Sequence, residues 1–132
     1  MKKFLLTVVL FFTVITLANA DGIFKRIKFE KGKSWFIFSG AVVSEDTDTY
    51  IFRANKNQDL KVSITSVKDN AVITVVNAKT GKLLENTTDS NKTVHFTGAI
   101  QISGDYKILV KPSEGNASYK LNVELENRYF EF

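Results

Sequence analysis

The sequence predicts an all-β fold, an antiparallel sandwich of seven to nine short strands with a jelly-roll-like arrangement. Three observations carry that expectation. Apolar and polar residues alternate with period two in stretch after stretch, and the i, i+3, i+4 spacing of a helix does not recur. Gly, Asn and Asp residues that favour turns separate these stretches at intervals suited to an all-β chain. The stretches span four to seven residues, shorter than the roughly 9–11 residues of a membrane-spanning strand.

Taken in order, residues 24–29 give a first, imperfectly alternating strand in Phe24, Ile27 and Phe29, ended by Glu30-Lys31-Gly32-Lys33. Residues 35–38 are nearly all apolar and stop at Ser39-Gly40. Tyr50, Phe52 and Ala54 alternate with Ile51 and Arg53, and Asn55-Lys56-Asn57 follows as a turn in which Asn57 can take a left-handed backbone. Leu60, Val62 and Ile64 alternate with Lys61, Ser63 and Thr65, a strand with one wet face. Residues 71–76 form a buried-looking run, and Lys79-Thr80-Gly81 closes a hairpin. Val94 and Phe96 flank His95 in a short strand over 93–97. Ser103-Gly104 starts the strand that carries Tyr106, Ile108 and Val110. Glu114-Gly115-Asn116 closes a last hairpin, with the single proline, Pro112, at a strand end where its missing donor does no harm. Tyr119, Leu121, Val123 and Leu125 then alternate with Lys120, Asn122, Glu124 and Glu126.

The chain has 132 residues, 44% of them hydrophobic, 24% charged and 12% aromatic, the profile of one packed domain. It has no cysteine and a single histidine. Disulfides, thiolate metal sites and a cysteine nucleophile are therefore excluded. His95 has no recognisable partner to orient it as a base, so the sequence points away from an enzyme. No cofactor motif is present.

Residues 1–20 read as a secretory signal peptide of bacterial form. Lys2 and Lys3 precede an uncharged apolar run, and Ala18-Asn19-Ala20 is a small-x-small cleavage site. That run is too short for the roughly 20 residues of a spanning helix. The expected mature domain is residues 21–132, periplasmic or secreted, with no membrane span. Losing Lys2 and Lys3 lowers the formal charge from +4 to +2. With no cation-aromatic stripe, nucleic acid is not an expected partner. A monomer or weak dimer is expected.

From Asp46 onward the chain resembles a known family. Asp46-Thr47-Asp48-Thr49-Tyr50-Ile51-Phe52-Arg53-Ala54 leads through Asn55-Lys56-Asn57-Gln58 into the alternating strand at Leu60. This order resembles the central signature of bacterial pre-peptidase C-terminal domains, with Asn57 where that family usually has Gly. Residues 71–77 with Gly81, Ser103-Gly104-Asp105-Tyr106 and residues 116–123 resemble later parts of the same pattern. The likeness covers residues 28–125. Small periplasmic members of this kind include the inhibitors of g-type lysozyme. The chain is similar to them in length, in its leader, and in Lys28-Phe29-Glu30-Lys31-Gly32-Lys33-Ser34.

The resemblance implies a protein partner, a lysozyme, blocked by loops inserted into its cleft. It implies a partner surface that includes Asp46, Asp48, Tyr50, Ser103, Gly104 and Tyr106. Ser103 and the backbone amides beside Gly104 would face an enzyme carboxylate, although Gly104 serving a turn and Tyr106 packing in the core also explain that segment. Glu45, Asp46 and Asp48 offer hard oxygens to calcium or a cationic partner, and equally fit a solvated loop that caps the next strand. The alternative function is a carbohydrate- or protein-binding module without inhibition. The tail Arg128-Tyr129-Phe130-Glu131-Phe132 would either cover a sheet edge or form a contact surface.

Overall fold

A computed structural model describes residues 22–29, 34–84 and 94–127. The leader of residues 1–20 and the tail of 128–132 lie outside the described residues. Eight strands follow in chain order: β1 (Phe24–Arg26), β2 (Trp35–Val42), β3 (Asp48–Ala54), β4 (Gln58–Ser66), β5 (Ala71–Asn77), β6 (His95–Ala99), β7 (Gly104–Pro112) and β8 (Ala117–Asn127). They form two four-stranded sheets, ordered β1-β3-β7-β5 and β2-β8-β4-β6. The all-β sandwich is thus as the alternation predicts, although its strands are not confined to four to seven residues: β4 and β7 have nine and β8 eleven.

That alternation is what creates the two layers. Tyr50, Phe52 and Ala54 face inward from β3, and Ile73 and Val75 from β5. Tyr106, Ile108 and Val110 face inward from β7. The second sheet answers with Leu60, Val62 and Ile64 from β4, Phe96 from β6, and Tyr119, Leu121 and Val123 from β8. Burying a side chain of this size contributes roughly 1.5–3 kcal/mol, so this shared core is the main stabilising term in a chain without disulfides.

Four expectations need correction or refinement. The first strand is only Phe24–Arg26 rather than 24–29, and it pairs parallel with β3. Residues 114–116 do not close a hairpin. β7 pairs with β3 and β5, while β8 lies in the other sheet, so this turn carries the chain across the sandwich. β2 is an edge strand whose large apolar side chains divide: Trp35 and Ile37 point outward and Phe36 and Phe38 inward. The run at 71–76 also alternates, with Val72, Thr74 and Val76 only half-buried. By contrast, the turn after β5 does fold the chain back, through a bridge between Val76 and Leu83.

Candidate partner-binding site

β3 separates two groups of candidate residues. Asp46 and Asp48 lie at its start, whereas Ser103 and Gly104 lie beside its end, with Gly104 paired to Ala54. A seven-residue strand is about 20 Å long, so these residues form two ends of the molecule and not one surface. Tyr50 and Tyr106 are buried between them.

At the first end, Asp48 is not in a solvated loop; it is 1% exposed. One carboxyl oxygen accepts from the Ile23 amide at 2.9 Å, and the other from the Tyr119 hydroxyl at 2.7 Å. The Tyr119 hydroxyl is also hydrogen-bonded to that of Tyr50 at 2.5 Å, which joins the two sheets through the core. Two glycines make room for this clasp. A Cβ on Gly40 would lie 2.7 Å from the Tyr119 hydroxyl oxygen, and one on Gly22 (φ +75°) would lie 2.3 Å from the Thr47 carbonyl oxygen. Burial pushes the Tyr50 hydroxyl up to about 12; the hydrogen bond with Tyr119 opposes this in part, and the neighbouring Asp48 charge adds a smaller upward push. Burial pushes Tyr119 up further, helped by its bonds to Tyr50 and Asp48. With both Asp48 oxygens engaged inside, Asp48 does not join Glu45 and Asp46 as an outward ligand. Among the described residues no three His, Asp or Glu side chains gather as a metal site.

The loops around Asp46 are bound to one another. The Ser44 amide donates to the Asn116 side chain at 2.8 Å. The Asn70 side-chain amide donates to the carbonyls of Glu114 and Asn116, each at 2.9 Å.

The opposite end presents a knuckle. Ile102 is 66% exposed at its tip, flanked by exposed Gln101 and Ser103. It is braced from inside, where the hydroxyl of buried Tyr106 donates to the Ile102 carbonyl, while the Tyr106 ring stacks on Phe52. It is braced from the side, where the Ser103 hydroxyl oxygen accepts from the Lys56 amide at 2.8 Å. Lys56 belongs to the β3–β4 turn, whose form depends on Asn57 at φ 74°, the left-handed conformation its sequence allows. Tyr106 therefore packs in the core and also fixes the loop above it.

Beside the knuckle is a cleft of about 610 Å³ that sequence reasoning missed. Arg26, Lys28 and Arg53 line it, with Asn55 and Gln58 as amides and Phe29 as an apolar wall, and no acidic side chain lines it among the described residues. The Asn55 amide donates to the Gln58 side chain at 2.7 Å, which itself donates to Asn127 at 3.0 Å. Arg26 is paired with Asp105 at 2.8 Å. Arg26 and Lys28 belong to the basic stretch Lys25-Arg26-Ile27-Lys28, whereas Arg53 joins them from β3, and that distant pairing is what sequence alone does not record. His95 lies on the exposed outer face of the other sheet, with Thr97 as its polar neighbour.

With this geometry, the chain has the fold of the pre-peptidase C-terminal domains and of the small inhibitors built on it. PliG of Aeromonas hydrophila, a periplasmic lysozyme inhibitor of g-type lysozyme, superposes with a TM-score of 0.68 at 23% identity, covering 81% of this chain and 100% of that one. A mutant of the corresponding Escherichia coli inhibitor gives 0.63 at 22% identity, covering 80% and 99%. The pre-peptidase C-terminal domain of a Bacillus anthracis collagenase gives 0.58 at 16% identity, over the same shares. No protein-family model and no curated protein matches the sequence.

Proposed function

We propose that the protein is an exported bacterial inhibitor of a g-type-like lysozyme, and not an enzyme, with the 100–106 knuckle as the inserted element. The observation that carries this reading is the braced knuckle beside a cationic cleft. An inhibitory loop needs its conformation fixed before binding, because ordering it on contact weakens affinity. Here Tyr106 and the Ser103–Lys56 bond supply that fixation. A glycosidase that cleaves by the usual carboxylate chemistry carries acidic groups in its cleft, which Arg26, Lys28 and Arg53 complement. Ile102 offers an apolar tip for a desolvated contact.

The likeness to g-type lysozyme inhibitors over nearly their whole chains supports the class of partner. The form of residues 1–20 supports cleavage after Ala20 and a periplasmic or secreted location. No cofactor enters this mechanism. Asp46 belongs to the opposite end and takes no direct part in it. Ser103 and Gly104 contribute at the knuckle, while Asp48, Tyr50 and Tyr106 act from the interior.

The test titrates the purified protein against g-, c- and i-type lysozymes in a cell-wall lysis assay. Stoichiometric loss of g-type activity alone is the expected result. Selective inhibition of another class would correct the target, and no inhibition at large molar excess would overturn the proposal.

A further inference from the structure

The outer faces of the two sheets differ in charge. On the β1-β3-β7-β5 sheet, Arg26, Ile51, Lys107 and Val76 lie in one row across all four strands. Phe24, Thr49, Leu109 and Thr74 form the neighbouring row. Lys111 and Arg53 add cations beyond these rows. Among the described strand residues the only acid on this face is Asp105, which Arg26 already holds at 2.8 Å. The outer face of β2-β8-β4-β6 instead sets Asp59, Glu124 and Glu126 against Lys61 and Lys120. Its carboxyl groups are close enough that Glu124 pushes Glu126 above its ordinary pKa.

The cationic face is also apolar. Phe24 is 67% exposed and Leu83 41%, and Ile51, Val76 and Leu109 are half-exposed between the charges. Lys107 reaches over the Phe24 ring, its ammonium 5.8 Å from the centroid, so charge and ring reach the surface together.

We infer that this sheet face docks on an anionic phospholipid bilayer. The cations would meet lipid phosphates, while Phe24 and its neighbours enter the headgroup region. That pairing of functions is the chemistry of a membrane interface. A phosphodiester polymer would use the cations and leave the apolar rows without a partner. The face is separate from the knuckle, although Arg26 and Arg53 border both. The inference does not depend on lysozyme inhibition.

The test is co-sedimentation of the whole protein with vesicles of equal parts phosphatidylglycerol and phosphatidylcholine, and with phosphatidylcholine alone. Binding to the anionic vesicles only is expected. Lys107→Gln with Lys111→Gln should lower that binding about 30-fold, and Phe24→Ser should lower it separately. Lys61→Gln with Lys120→Gln, which removes the same charge from the opposite face, should leave it within a fewfold of the parent. Thermal unfolding verifies that each variant is folded. Equal binding to both vesicle types, no binding to either, or equal losses from the two lysine pairs would overturn the inference. Unchanged lysozyme inhibition by the Lys107/Lys111 variant is expected, and keeps this result distinct from a failure of the proposed function.

Discussion

Tyr119 is the residue that holds the two sheets in register, because its hydroxyl meets Asp48 and Tyr50 in the core. Tyr119→Phe keeps the ring and removes the donor, leaving a buried carboxyl with the Ile23 amide alone. The expected loss is about 1–3 kcal/mol, read from urea unfolding. Gly40→Ala should also destabilise, since its methyl group would meet the Tyr119 hydroxyl and ring; overpacking of this kind costs about 1–3 kcal/mol. The same clasp sets an alkaline limit. Both tyrosines stay protonated in the fold above their ordinary value near 10, whereas the unfolded chain releases those protons there. Their contribution is fully present below about pH 10 and falls as pH rises towards 12. The urea midpoint should therefore drop over that interval, and do so less steeply in Tyr119→Phe.

The family resemblance puts Tyr50 and Tyr106 on a partner surface, but both are buried, as is Tyr119, in keeping with the strand alternation around them. The sequence misplaces Asp48 because Glu45 and Asp46 beside it read as a wet acidic loop. The group that justifies burying Asp48 is 71 residues away, and no local pattern records it.

Turns and short loops decide what the sandwich offers to a partner. The Asn57 turn is recognisable from its chemistry, since Asn tolerates a left-handed backbone. Asn57→Ala should cost about 1 kcal/mol by that conformation alone. The turn at 114–116 shows the opposite limit. Its Gly and Asn mark a sharp reversal, but the same residues serve a hairpin or a crossing between sheets. Only the distant pairing of β7 with β3 and β5 decides between them. The knuckle is similar: Ser103-Gly104 is visible in sequence, while its bond to Lys56 spans 47 residues. Tyr106→Phe should leave the core volume intact and free the Ile102 carbonyl. Stability should fall by about 1 kcal/mol, with a larger proportional loss of inhibition. Ser103→Ala exposes the Lys56 amide to water, so it should change stability by less than about 0.5 kcal/mol while still weakening inhibition.

For the molecule as a whole, a sandwich keeps its two ends about 20 Å apart and its two outer faces independent. Composition gives only a small net charge, which conceals how unevenly that charge is placed. The cations of the cleft come from β1, the segment after it and β3, and become one wall only when β1 pairs parallel with β3. Arg53→Glu should weaken inhibition and make the remainder less sensitive to salt, because screening acts mainly on exposed charges. The inhibitor reading rests on which end of the sandwich meets the enzyme. Amide hydrogen exchange on the complex with a g-type lysozyme tests that most directly. The account predicts slowed exchange at residues 53–58 and 100–106, with 43–48 and 113–117 unchanged. Slowing confined to the Asp46 end, or at neither end, would contradict it.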